Sequence, residues 1–237
     1  MKTIAMIPAR IGSTRLKMKN LALMDGKPMI AYSIIAAQKS GIFDRIILNS
    51  DHEIFQDVAK QYSVEFYLRP KHLGSSTTKS DDVVLDFMKK HPGEIVAWVN
   101  PISPLQTGEE IRDVVEYFHK EQLDSLITVK DEQVHVIYEE NPVNFNLDGK
   151  FAQTQDLVPV QPFVYSIMMW RTRPFMESMD QNGYAFFSGK VGYYPVSKLS
   201  AIIIKTEQDL KLAEYVVKAM KEKEPLKYDV LTKSLSD

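Results

Sequence analysis

The sequence predicts an α/β fold built on a mainly parallel sheet with helices on both faces. Three observations predict it. Short, almost wholly apolar runs such as Thr3–Ile7 and Ile95–Val99 (IVAWV) have the length and composition of buried strands. Between them lie stretches whose apolar residues recur at helical spacing. The connections are short, as parallel strands joined by crossover helices require.

The elements come in order. Thr3–Ile7 is a buried strand, and Met29–Lys39 (MIAYSIIAAQK) a helix entered through Pro28, a residue suited to a first turn. Arg45–Asn49 (RIILN) is the second strand. Glu53–Gln61 is a helix with Ile54, Val58 and Ala59 on one face, and Val64–Tyr67 a short strand. Asp81–Lys90 carries Val83, Val84, Phe87 and Met88 at helical spacing. After Ile95–Val99, Glu109–Lys120 shows a clean stripe of Ile111, Val114, Val115 and Phe118, and Leu126–Val129 is a further strand. From Asp131 to about Trp170 the chain is richer in Pro, Asn and Gln, with strand-like pieces such as VHVIY. This predicts an arm inserted into a single domain that spans 1–237. The alternation resumes with a strand at Ala201–Ile204 and a helix from Glu207 to about Lys221. Thr206-Glu207-Gln208-Asp209 resembles a capping box there, and Leu210, Ala213, Val217 and Met220 form the expected buried stripe.

Composition excludes several classes. A net charge of −2 gives no overall field favouring nucleic acid, so clustered cations must be local features. There is no cysteine, which removes disulfides, thiolate metal sites and cysteine nucleophiles. The opening apolar run is far shorter than a signal-peptide core and no stretch is long enough to span a bilayer, so the expectation is a cytoplasmic protein with no membrane partner. The five histidines (His52, His72, His91, His119, His135) show no ligand spacing and read as surface or satisfied core residues.

The chemistry concentrates after the first strand. Thr3–Ile7 runs into Pro8-Ala9-Arg10, and Gly12-Ser13-Thr14 then lies among Arg10, Arg15, Lys17 and Lys19. In an open α/β sheet, ligands bind beyond the carboxyl ends of the strands, which is where this loop falls. Gly12 and Ser13 let backbone N–H groups approach an anion. Arg10 and Arg15 offer forked donors to phosphate, and Lys19 a point charge. The combination suits a polyphosphate, yet is neither a Walker A sequence nor a dinucleotide fingerprint. The bland reading, a solvated basic loop, is disfavoured by its position after a core strand.

PARIGSTRLKMKN resembles the opening motif of the acylneuraminate cytidylyltransferases (CMP-sialic acid synthetases) and their relatives for other nonulosonic acids and for 3-deoxy-manno-octulosonate. Further motifs succeed it in the family's order. They are Asn49-Ser50-Asp51 with the segment HEIFQDVAKQYSVEFYLRP that follows it and ends in Arg69-Pro70, LGSSTTKSDDVV, Asn100-Pro101-Ile102-Ser103-Pro104-Leu105, Gln155-Asp156-Leu157-Val158-Pro159, and Thr206–Leu210. The resemblance implies a nucleotide-diphospho-sugar-transferase-like fold, a dimerisation arm at about 131–170 and a homodimer. It implies transfer of CMP from CTP to the anomeric hydroxyl of a sialic-acid-like 2-keto-3-deoxy sugar acid, with release of pyrophosphate. By the same analogy Arg10 and Lys19 are catalytic. Arg10, Ser13, Arg15, Lys19, Asn20, Arg69, Thr78 and Ser80 bind the nucleotide, while Asn100, Ser103 and Gln155 face the sugar acid. The family also implies Mg²⁺.

The match departs from the family in places. Where the family carries its metal-binding Asp-x-Asp, this chain has Ile203-Ile204-Lys205, so the ligands of an expected Mg²⁺ are not identifiable. Lys205 could share the charge neutralisation, another carboxylate (Asp51, Asp81, Asp82 or Asp209) could hold the metal, or transfer could be weak. Tyr165-Ser166 replaces an Asn-Gly, Gln106 the Arg after S-P-L, and Ser76 an Asp. Two alternatives therefore stand beside the transferase: a catalytically silent nucleotide-binding homologue, and a related transferase using another nucleotide or sugar. The aromatic cluster Tyr184, Phe186, Phe187, Tyr193 and Tyr194 reads as core or subunit packing ahead of a sugar pocket.

Overall fold

The computed structural model describes residues 2–222 and 227–229; the ends of the 1–237 domain expectation lie outside the described residues. One seven-stranded mixed sheet organises the chain. Its strands are β1 (Thr3–Ala9), β2 (Arg45–Ser50), β3 (Glu65–Leu68), β4 (Ile95–Val99), β5 (Ser125–Val129), β6 (Phe163–Arg171) and β7 (Val191–Pro195). In space they run β7-β5-β6-β4-β1-β2-β3. All are parallel to one another except β6, which pairs antiparallel with both β4 and β5. The helices are α1 (Met29–Ser40), α2 (Ile54–Gln61), α3 (Ser80–Lys90), α4 (Gly108–Lys120), α5 (Thr172–Asn182) and α6 (Glu207–Lys221).

The pleat of β1 shows why both faces are covered. Ala5 and Ile7 point into a core shared with Ile30 and Ile34 of α1, Phe55 of α2 and the α4 stripe of Ile111, Val114, Val115 and Phe118. Ile4 and Met6 point to the other side, where Val84 and Phe87 of α3 and Phe175 of α5 pack with Trp170. A strand buried on both faces is apolar throughout, which is why these runs lack alternation. A smaller core of Met24, Met29, Leu105, Ile204, Leu210 and Ala213 seats α6.

The structure corrects the sequence reading in the second half. The expected arm ends earlier, because from Phe163 onward the chain is β6, the strand between β4 and β5 near the middle of the sheet. Ile167, Met169 and Trp170 on it are fully buried. What remains outside the sheet is a loop-rich excursion from 131 to 162. It carries a hairpin of two short strands, Ile137–Tyr138 and Asn141–Pro142, and is pinched shut where Lys130 N–H donates to the Pro162 carbonyl and Glu132 bridges Val160. Residues 201–204 are not a strand; Ile204 is held by one bond from its N–H to the Ile102 carbonyl and by burial against α6. The helix α5 and strand β7 lie where no element was expected. On α6 the capping box forms between Thr206 and Asp209, and Leu210 and Ala213 are buried, while Met220 is exposed.

Candidate functional site

The sheet order places a crevice at the carboxyl ends of β1 and β4, where the chain, having built β2 and β3 on one side of β1, returns to build β4 on the other. Such a reversal is where open α/β sheets bind ligands. A cavity of about 260 Å³ lies there. Its lining brings together Arg10, Ser13, Arg15, Lys19, Asn20, Arg69, Thr78, Ser80 and Asn100, which the sequence nominates from separate segments. Lys205 also lines it, and so do Lys79 and Trp98, which sequence reasoning missed. Lys79 precedes α3, and only its position between Thr78 and Ser80 could have flagged it. Trp98 sits on β4 with its indole N–H buried and without an acceptor, a donor held ready at the cavity wall.

Two nominated residues are not brought here. Ser103 is fully buried and its hydroxyl donates to the Ser200 carbonyl, so it ties two loops together and is not among the residues lining the cavity. Gln155 lies exposed on the excursion, its amide donating to Gln153 Oε1, and is not part of this cavity within one chain. The aromatic cluster stays outside as well. Phe186 packs against Trp170, Tyr194 meets Tyr117 edge-on at 5.2 Å, and Phe187 and Tyr193 gather round Phe163. Nor is His91 a satisfied core histidine: it lies between Tyr67 and Phe87 with Nε2 buried and unpartnered, and burial lowers its pKa.

Asp51 organises the loop after β1. Its carboxylate accepts from the Ile11 N–H at 3.1 Å and lies 3.8 Å from the Arg69 guanidinium. Gly74 lets it approach: a Cβ there would stand 2.1 Å from Asp51 Oδ2. The Ser13 N–H donates to the Ile11 carbonyl at 3.1 Å. The consecutive free N–H groups expected of an anion nest are thus partly engaged, and the cavity's donors are mainly side chains. Arg69 is 4% exposed and donates to the Asn49 carbonyl at 3.0 Å. Burial pushes its pKa down, although it remains a cation.

Lys19 is the most perturbed cation. Its ammonium donates to the Ile204 carbonyl at 3.0 Å. Burial first, and then repulsion by Arg15 and Arg10, lowers its pKa to about 8. Lys205 adds a smaller repulsion, opposed by Asp209. The cluster carries an excess of positive charge that nearby carboxylates offset only in part, and a polyphosphate would relieve it.

Three of the four carboxylates nominated for Mg²⁺ hold backbone N–H groups, and the fourth lies outside the cavity lining. Asp209 Oδ2 accepts from the Lys205 and Thr206 N–H groups at 2.8 and 2.7 Å, and Asp81 Oδ1 accepts from the Ala185 and Phe186 N–H groups at 2.7 and 2.9 Å. Asp51 serves Ile11 and Arg69, and Asp82 is exposed on α3 outside the cavity lining. No Asp or Glu is among the residues lining the cavity. Among the described residues no three His, Asp or Glu side chains cluster as metal ligands. A hard divalent cation needs oxygen donors, and this donor set does not fit one held by the protein.

A family model described as cytidylyltransferase matches residues 4–230. An N-acylneuraminate cytidylyltransferase of Streptococcus agalactiae serotype V is 25% identical over 218 residues, covering 88% of this chain and 52% of that relative. The chain therefore spans about half the length of such relatives. A CMP-N,N'-diacetyllegionaminic acid synthase of Legionella pneumophila is 36% identical over 135 residues, 54% of this chain and 58% of that protein. Post-translational flagellin modification protein B of Campylobacter coli is 26% identical over 224 residues, 90% and 93% of the two chains. The solved structure of CMP:2-keto-3-deoxy-manno-octonic acid synthetase complexed with CTP superimposes with a TM-score of 0.71 at 13% identity, covering 93% of this chain and all of that one, and so shares the fold.

Proposed function

This chain belongs to the cytidylyltransferase family, and from that premise we propose that it transfers CMP from CTP to the anomeric hydroxyl of a sialic-acid-like 2-keto-3-deoxy sugar acid. The observation that carries the reading is the cavity itself, a crevice at the sheet's reversal point whose walls present Arg10, Arg15, Lys19, Lys79 and Lys205 with hydroxyls from Ser13, Thr78 and Ser80.

In the proposed reaction the anomeric oxygen attacks the α-phosphorus, the bond to the α–β bridging oxygen breaks, pyrophosphate leaves and the hydroxyl proton passes to water. Such transfers depend on positioning and on balancing charge that grows on the leaving group. Arg10 and Lys19 would stabilise the leaving pyrophosphate, with Ser13 and Arg15 on the same phosphates. Asn20, Arg69, Thr78 and Ser80 would hold the nucleotide, and Asn100 would meet the sugar acid. Trp98, whose N–H has no acceptor, is a further polar contact for whatever fills the wall beside it. The same reading makes the protein a homodimer, with Gln155 and the 131–162 excursion at or near the contact between subunits.

The test is pyrophosphate release from CTP with a panel of nonulosonic acids and 3-deoxy-manno-octulosonate, run beside ATP, GTP and UTP. Release with CTP and one sugar class is expected. Tight CTP binding without release from any acceptor would instead favour a silent nucleotide-binding homologue.

A further inference from the structure

We infer that this cavity balances a nucleotide's triphosphate with its own side-chain cations, Lys205 standing in for a divalent cation, so that the nucleotide binds without a metal. The inference rests on the nucleotide reading above and deepens it.

Arg10, Arg15, Lys19, Arg69, Lys79 and Lys205 line the cavity together, and no carboxylate does. A divalent cation arriving with the nucleotide would enter a field of like charge with no protein oxygen anion to receive it. Lys205 is fixed at its base and exposed at its tip. Its N–H donates to Asp209 within the α6 capping box, and the preceding Ile204 is buried and bonded to Ile102. The Ile204 carbonyl in turn receives the Lys19 ammonium, so the Lys205 backbone adjoins the group that holds Lys19. A metal drawing on Asp209 would weaken that carboxylate's bonds to the Lys205 and Thr206 N–H groups, and one drawing on Asp51 would weaken its hold on Ile11 and Arg69. An ammonium held at the cavity wall supplies positive charge to phosphate oxygens without either loss.

Calorimetric titration with CTP, in EDTA and again in excess Mg²⁺, tests this. Wild-type protein is expected to bind with affinities within about twofold of each other, and Lys205→Ala to bind about tenfold more weakly in EDTA, the worth of one charge-assisted contact. Lys205→Asp is expected to lose binding in EDTA and recover it with Mn²⁺, and thermal unfolding establishes that both variants fold. Wild-type binding that needs Mg²⁺, or Lys205→Ala binding like wild type in EDTA, overturns the inference and leaves the nucleotide reading standing. CTP failing to bind under either condition overturns both.

Discussion

At the scale of the residue, the site is a problem of crowded positive charge. Lys19 carries an ordinary ammonium in an extraordinary place, and its pKa near 8 sets a working range. Below that value it is charged and attracts phosphate; above it the neutral amine does not. The affinity of the free protein for CTP should therefore fall as pH rises through about 8. Titrations across that range should show a break that Lys19→Ala removes, with affinity lowered about tenfold at neutral pH. Gly74 supports the same loop from behind. Gly74→Ala forces its methyl onto the Asp51 carboxylate, which holds Ile11 and Arg69. A loss of about 1–3 kcal/mol in urea unfolding is expected, together with weaker CTP binding. A Cβ at Gly12 meets nothing within 4 Å, so Gly12→Ala should leave stability nearly unchanged.

Elements matter here through their ends. The crevice is made by the loops leaving β1, β3 and β4 and by the turn before α6, with Asp51 at the end of β2 bracing the first of them. The Thr206 hydroxyl caps α6 by accepting from the Asp209 N–H, and Asp209 reciprocates. Thr206→Ala should cost about 1 kcal/mol and Asp209→Ala up to about 2, because the latter also frees the Lys205 N–H; the shift in urea midpoint measures both. Strand β6 shows another device. Its register shifts between Phe163 and Met168, and Tyr165 there adopts φ 59°, a left-handed conformation unusual for a bulky residue. Just beyond it the Ser166 carbonyl receives the Asn100 N–H, and its hydroxyl meets Thr128 and Gln106. The bulge thus anchors the loop that carries Asn100 into the cavity.

For the whole molecule, the uncovered surface suggests assembly. The excursion exposes Ile137, Tyr138, Leu147, Phe151 and Val158, and the adjoining sheet end exposes Phe163, Tyr165, Phe187 and Tyr193. A thin segment cannot bury such residues by itself, and apolar groups gathered on a surface are the mark of a contact. Sedimentation at micromolar concentration should show a dimer, and removing 136–150 in favour of a short Gly/Ser link should yield monomer. A wild-type monomer under those conditions would contradict the assembly. No helix among the described residues is long and apolar enough to cross a membrane.

Much of this was legible in the chain. The helical stripes of α3 and α4, the two-faced strands, the α6 capping box and the cationic loop are all local patterns, set by the period of side chains along one segment. Strand β6 was not legible, since FVYSIMMWR comes after a Pro-rich stretch and has no period when buried on both faces. Nor was the fate of Ser103, whose burial depends on a partner almost a hundred residues away. By itself, then, the sequence determined a largely parallel α/β chain with a cation-rich loop after its first strand. Only the tertiary structure decided that Lys205 and Lys19 share one wall, that Asp51, Asp81 and Asp209 accept from backbone N–H groups, and that an antiparallel strand divides β4 from β5. These are matters of long-range pairing, and no local window of residues encodes which distant groups meet.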